Sequence, residues 1–369
     1  MKIPNGQQII EEFEKWSPKY LAMEGDPVGL HVGTLNKKIE RVLVTLDVNE
    51  TVVDEAIAKG AGLIIAHHPP IYRPMKNLQT DFPQGRLMEK LIKHDIAVYA
   101  AHTNLDVAVG GVNDLLADAL GLSDTSVLVP TYEADLVKIA VFVPESHEEA
   151  VREALGKAGA GAIGDYDFCS YTLSGTGRFR PTAQADPYIG EASKMEVTAE
   201  SKIEVVIRKN YKDRAIKAMI AAHPYEEVAY DVFTLENKEA AMGLGRVGTL
   251  AEEMSLEEFV EHVKTRLDVP AARVVGDPSR RVKKVAVLGG DGNKYITAAK
   301  RSGADVYVTG DLYFHVAQDA EAMGLAVVDP GHHVEKVMIK GVVNHMAKAA
   351  NWQCEFLPSE VDTEPFKFL

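Results

Sequence analysis

Cysteine is almost missing from this chain: its 369 residues include two, Cys169 and Cys354. Neither has a partner at metal-motif spacing, which argues against both a disulfide framework and a thiolate zinc site. No apolar run reaches the ~18 residues that a membrane span needs. Basic charge is in deficit too, with 40 Lys and Arg against 54 Asp and Glu and a formal net charge of −14. A non-specific grip on nucleic acid or on an anionic membrane needs basic surface, so both are disfavoured as partners. The opening residues, Met1-Lys2-Ile3-Pro4-Asn5-Gly6, lack the apolar core of a signal peptide. A reducing cytoplasm is the compartment to expect. No Gly-x-Ser-x-Gly elbow is present.

What remains is ordinary globular material, 46% hydrophobic and 25% charged. The length exceeds what one core usually serves, so two or three domains are expected. The most informative stretch is Leu63-Ile64-Ile65-Ala66-His67-His68-Pro69-Pro70. A short apolar run bounded by a breaker reads as a strand buried on both faces. Proline cannot donate to a sheet ladder, so the strand stops by Pro69 and the histidines stand at its carboxyl end. In open parallel sheets that edge is the usual ligand site.

Along the chain, helical spacing marks Gln7 to Trp16. A β-rich run, Arg41 to Asp47, precedes a helix capped by Asn49. Gly85 to His94 is a helix, and Ile96 to Ala101 is a strand entering His102-Thr103-Asn104-Leu105-Asp106. Gly110-Gly111 then starts a helix through Leu120. After about Val129 the pattern becomes β-α-β-…-β-α-β, the ferredoxin-like order. Parallel alternation resumes after Lys284, ending in Gly289-Gly290-Asp291-Gly292, Gly310-Asp311 and Pro330-Gly331-His332-His333-Val334-Glu335. A final helix reaches about Ala350. We expect an α/β protein: two related βα lobes with largely parallel sheets, residues 1–130 and 239–369, forming one main domain. Residues 131–238 form an inserted α+β ferredoxin-like domain.

Two constellations carry chemistry. His67 and His68 can meet Asp106, which follows the next strand. Taken alone, Asp106 is also a natural turn acid before Gly110-Gly111. His332 and Glu335 share a face at i, i+3, where Glu335 alone would be a first-turn helix acid. Three histidines and two carboxylates exceed what one four-coordinate ion needs. The pattern therefore favours two divalent ions, with zinc, iron, manganese or nickel suiting the donors. His315 and His102 are candidate proton carriers, and His102 can orient Asp106. Gly289-Gly290-Asp291-Gly292 can cradle a phosphate on backbone amides, although it matches neither a Walker loop nor a dinucleotide fingerprint.

Ala66-His67-His68-Pro69-Pro70, His102 to Asp106, Gly310-Asp311 with His315, and Gly331-His332-His333-Val334-Glu335 resemble the NIF-three-like family, whose members carry the name GTP cyclohydrolase I type 2 homologue. The resemblance implies two ions held by His67, His68, Asp106, His332 and Glu335, and a toroidal homohexamer. It does not by itself establish the cyclohydrolase activity. Ala222-His223-Pro224-Tyr225-Glu226-Glu227-Val228 is similar to a segment of CutA-like proteins, relatives of the P-II fold. A turn-packing role suits His223 better than a metal. The expected function is a metal-dependent hydrolase of a nucleotide or phosphoester. The alternative is a non-enzymatic metal-handling or regulatory protein whose insert senses a small ligand.

Overall fold

The structure is a computed structural model that describes residues 2–349 and 351–368. Asn5 opens the first helix, α1 (Gly6–Trp16), by a reciprocal capping box with Gln8. Ile9, Ile10 and Phe13 recur at helical spacing and are all buried. The first lobe continues with β1 (Gly29–Val32), β2 (Arg41–Thr45), α2 (Glu50–Lys59) and β3 (Leu63–Ala66). It then runs through α3 (Pro83–Lys93), β4 (Ala97–Ala100), α4 (Thr103–Val107), α5 (Val112–Ala119) and β5 (Ser123–Tyr132). Asn49 caps α2 as expected, its side chain accepting from the Val52 amide at 2.9 Å. Every residue of β3 is buried. Leu63 and Ile65 face the core shared with the second lobe, while Ile64 and Ala66 face α2 and α3. That is why the strand reads as an unbroken apolar run.

The chain divides into two compact units, one formed by Met1–Tyr132 with Met242–Leu369 and the other by Glu133–Ala241. The second unit comprises β6 (Asp135–Pro144), α6 (Glu148–Lys157), β7 (Tyr171–Phe179), β8 (Glu196–Arg208), α7 (Lys212–Ala222) and β9 (Tyr230–Lys238). Its sheet is antiparallel in the order β7-β8-β6-β9, the ferredoxin-like arrangement. One face packs on the helices through Val137, Ile139, Ile203, Val205, Val151 and Met219.

The second lobe of the first unit holds β10 (Met242–Ser255), α8 (Leu256–Leu267), β11 (Arg273–Val275), β12 (Arg281–Asp291), α9 (Ile296–Arg301), β13 (Val306–Gly310), α10 (Phe314–Ala322), β14 (Ala326–Asp329), α11 (Val337–Ala349) and β15 (Glu355–Pro358). Ala350, where the sequence reading ends α11, lies outside the described residues. The two sheets of this unit run β1-β4-β3-β2-β15 and β11-β14-β13-β12-β10-β5. In each, three consecutive strands are parallel, and a short antiparallel strand edges the third of them. The lobes are therefore related in topology, as expected, and differ at the opposite edge. There β15 adds parallel to β2, whereas β10 and β5 add antiparallel. The long β10 escapes the sequence reading because Gly243, Gly245 and Gly248 break its apolar pattern. A Cβ at Gly243 would meet the Val129 carbonyl oxygen at 2.0 Å, so the glycines record close backbone packing rather than a loop. One core, from Phe13 and Ile65 to Phe259 and Val342, joins both lobes. Among the described residues no helix is long and apolar enough to cross a membrane.

Candidate metal centre

The carboxyl ends of the parallel strands of both lobes meet. From the first lobe come Asp47 beyond β2, His67 and His68 beyond β3, and His102 to Asp106 beyond β4. The second lobe contributes Gly289-Gly290 on β12, Asp311 beyond β13, and a 3₁₀ turn, His332–Lys336, beyond β14. Asn113 joins the lobes beneath the site. Its amide donates to the Asp106 carbonyl and its oxygen accepts from the Gly289 amide, each at 3.0 Å. Residues three apart eclipse one another in a 3₁₀ turn, which brings His332 Nε2 to 3.1 Å from Glu335 Oε2.

Each histidine is held by Nδ1 and presents Nε2. His67 Nδ1 lies 2.8 Å from the Ala101 carbonyl, which can only accept, so Nδ1 carries a proton and the neutral ring offers its lone pair from Nε2. His68 Nδ1 is 2.6 Å from Asp47, His102 Nδ1 2.8 Å from Asp26, and His332 Nδ1 2.7 Å from Asp311. A carboxylate or carbonyl behind each ring is the arrangement that orients metal-binding histidines. The Nε2 atoms converge on Glu335 Oε2, at 3.1 Å from His68 and 3.1 Å from His332. His67 Nε2 is 3.7 Å from it, too far for a hydrogen bond, and 3.5 Å from Asp106 Oδ1.

Charge is concentrated here, with His67 and Glu335 buried and His68 and His332 partly exposed. Burial opposes protonation of His68, but hydrogen bonds to Asp47 and Glu335 outweigh it and push the ring up to about 10. His332 rises to about 9 through its bond to Glu335. His67 is raised by Asp106 and Glu335 against full burial. Burial works against the Glu335 charge as well, yet the three rings hold its pKa well below the usual carboxylate range. Asp106 goes the other way, pushed up by burial to about 6.

Two atoms test whether a cation fits. His67 Nε2 and Asp106 Oδ1 are both buried and both lack a hydrogen-bond partner. An unsatisfied buried imidazole and carboxylate facing one another are costly unless something positive lies between them. Glycine supplies the space: a Cβ at Gly290 (φ +63°) would stand 2.8 Å from Glu335 Oε1 and 3.3 Å from His332 Nε2. Among the described residues, three groups of side chains bring ligand atoms within 4.8 Å of one another and could hold a metal ion: His67, Asp106 and Glu335; His68, His332 and Glu335; and His67, His68 and His102.

The structure thus brings together His67, His68, His102, Asp106, His332 and Glu335. It leaves His315 apart, exposed on α10 with its ring against Gln318. His102 leans on Asp26 and does not orient the Asp106 carboxylate. The glycine cluster at Gly289 is no phosphate cradle. The amides of Gly289 and Gly292 are taken by Asn113 and Thr309, and the missing side chains make room for Glu335. Sequence reasoning missed Asp47 and Asp26. Asp47 ends a parallel strand in the same way as His67, so position alone could have found it; Asp26 stands in a Gly-Asp-Pro turn and gives no such signal. His333 turns away toward Asp362, and His223 belongs to none of the metal-capable groups.

Comparison with known proteins agrees with this organisation. The family model described as Duf34/NIF3 (NGG1p interacting factor 3) matches residues 4–365. The GTP cyclohydrolase 1 type 2 homolog of Bacillus subtilis is 59% identical, with 100% of both chains covered. The crystal structure of a Bacillus cereus protein related to NIF3 superposes with a TM-score of 0.94 at 55% identity over 100% of both chains. A Staphylococcus aureus protein of known structure follows at a TM-score of 0.78 and 30% identity, again over 100% of both. With its whole length matched in sequence and in fold, the chain belongs to the DUF34/NIF3 family.

Proposed function

We propose that this protein binds two divalent metal ions and is a metal-dependent hydrolase of a nucleotide or phosphoester. The observation that carries this reading is the place of Glu335. It is common to two ligand groups, one with His67 and Asp106 and one with His68 and His332, and a shared carboxylate can bridge two ions. The donors, imidazole and carboxylate, suit zinc, iron, manganese or nickel. When bound, such ions would supply activated water and charge to clamp a phosphate ester. The chain's own residues do the positioning. Ala101, Asp47 and Asp311 fix the tautomers of His67, His68 and His332. His102 offers a ring nitrogen within 4.8 Å of those of His67 and His68 and is the proton carrier in this reading, in place of His315. A cavity of about 760 Å³ opens beside the centre, lined by Asp47, His68, Arg273, Asp311, His332 and Phe366 among others. Its size suits one small organic ligand. A name shared by relatives, GTP cyclohydrolase 1 type 2 homolog, falls within the same class of metal-assisted hydrolysis. A toroidal homohexamer belongs to the same proposal and is checked by light scattering.

Elemental analysis together with a nucleotide and phosphoester panel tests the function. Two ions per chain and turnover that disappears in His67→Ala are expected. Two ions with no turnover above that control would leave a metal-handling protein and end the hydrolase reading.

A further inference from the structure

In the second unit a cavity of about 810 Å³ lies where β7 and β8 meet the 181–193 loop and the turn around Tyr225. A carboxylate forms part of its lining. Glu200 on β8 is 9% exposed and accepts from the Tyr225 hydroxyl at 3.0 Å through Oε1. Oε2 has neither a hydrogen-bond donor nor an ion-pair partner among the described residues. It lies against β7 where Gly177 leaves room, because a Cβ there would stand 2.1 Å from Oε2. Aromatic rings form the walls. Phe179 and Tyr188 lie 5.8 and 6.3 Å from Tyr225 and are tilted to it by 59° and 50°, so neither stacks flat and hides its face. Phe142 on β6 lines the cavity as well.

Strand alternation decides which charges face that carboxylate. Glu200 stands opposite Gly175 in the β7–β8 ladder, and Gly177 and Phe179 follow on the same face. Arg178 and Arg180 border the cavity but have the other parity, so their side chains leave on the far face. Lys202, two residues on from Glu200, shares its face, and Glu204 engages its ammonium at 2.7 Å. That ammonium also lies 5.9 Å from the centre of the Phe142 ring, so one wall of the cavity already accepts a cation. His223 has both ring nitrogens occupied, one by the Tyr225 amide and one by the Phe142 carbonyl. No described side chain therefore pairs with the Glu200 charge. A carboxylate nine-tenths buried among rings is costly to keep ionised unless a positive group meets it. The ring faces carry negative potential and favour a cation over a neutral donor. An ionised carboxylate can only accept, which selects a cation that still carries an N–H.

We propose that this cavity binds a small protonated amine, with the ammonium on Glu200 Oε2 between the faces of Phe179, Tyr188 and Tyr225 and the apolar body of the ligand against Phe142. The site uses no residue of the metal centre and does not depend on it.

The full chain, stripped of metal by chelation, is titrated calorimetrically with tryptamine and with tryptophol, its neutral hydroxyl analogue. Tryptamine should bind saturably, one per chain, and tryptophol roughly tenfold more weakly or worse. Glu200→Gln keeps the shape of the side chain and removes its charge, so it should weaken tryptamine by roughly tenfold or more. Phe179→Leu keeps an apolar wall without a ring face and should weaken it about fivefold. Arg178→Ala and His68→Ala should bind tryptamine as the parent does. Absence of saturable binding, equal affinity for tryptophol, or parent-like affinity in Glu200→Gln or in Phe179→Leu would overturn the proposal. So would loss of binding in His68→Ala, which would assign the amine to the metal centre. Should Glu200→Gln fail to fold, Phe179→Leu and the ratio of tryptamine to tryptophol affinity decide the matter.

Discussion

A histidine becomes a metal ligand less by its own identity than by what holds its other nitrogen. Asp47 illustrates this, since it touches His68 Nδ1 at 2.6 Å and is itself fixed by the Thr363 hydroxyl at 2.6 Å. Removing its charge leaves the shape of the site and frees the ring to rotate or change tautomer. Asp47→Asn is expected to weaken metal binding by about 10–100-fold, the usual effect of losing such a partner. Competition with a chromophoric chelator measures it. The corresponding change at Asp362, whose contact with His333 lies outside the centre, should leave affinity unchanged.

At the scale of elements, the ladders depend on a few polar anchors. Arg246 on β10 is 4% exposed. Its guanidinium makes a two-pronged contact with Asp114 of α5 and donates to the carbonyls of Gly243 and Gly245 at 2.9 and 2.8 Å. Arg246→Met would leave Asp114 and two carbonyls without their partner, so a loss of about 3–5 kcal/mol is expected in urea unfolding. In the second unit, His223 uses both nitrogens as a neutral ring, accepting from the Tyr225 amide at 3.1 Å and donating to the Phe142 carbonyl at 2.9 Å. Burial holds its pKa below the ordinary 6.5. The unfolded chain therefore takes up this proton before the native one does. The stability it confers is full above the unfolded pKa and is lost as pH falls below it toward the native pKa. Thermal midpoints measured from about pH 8 to about pH 5 should decline, and His223→Gln should flatten that decline.

For the whole molecule, the division into units makes a further expectation. Glu133–Ala241 is one continuous segment with its own core, whereas the other unit needs both flanking segments to complete its sheets. Expressed alone, residues 133–241 should fold cooperatively, with dispersed amide resonances and a single melting transition. Residues 1–132 alone should not, because β2 would lose β15 and the core facing α8 and α11 would be exposed. The affinity of the metal centre belongs to this scale as well. His67 and Asp106 come from one lobe and His332 and Glu335 from the other, so shared packing holds the site together.

Local physics made much of this legible before any coordinates. An apolar run stopped by Pro69 had to be a buried strand, and two histidines at its end had to leave the sheet there. Asn49 and Ser255 had to cap helices, because their side chains satisfy amides that the helix cannot. Convergence could not be read the same way. Which acid stands behind which ring, why Gly290 lacks a side chain, and why His315 stays outside all depend on contacts between residues far apart along the chain, 267 positions for His68 and Glu335. A one-dimensional pattern reports periodicity and breakers. It carries no distance between strands of different lobes, and only the packed core sets that distance.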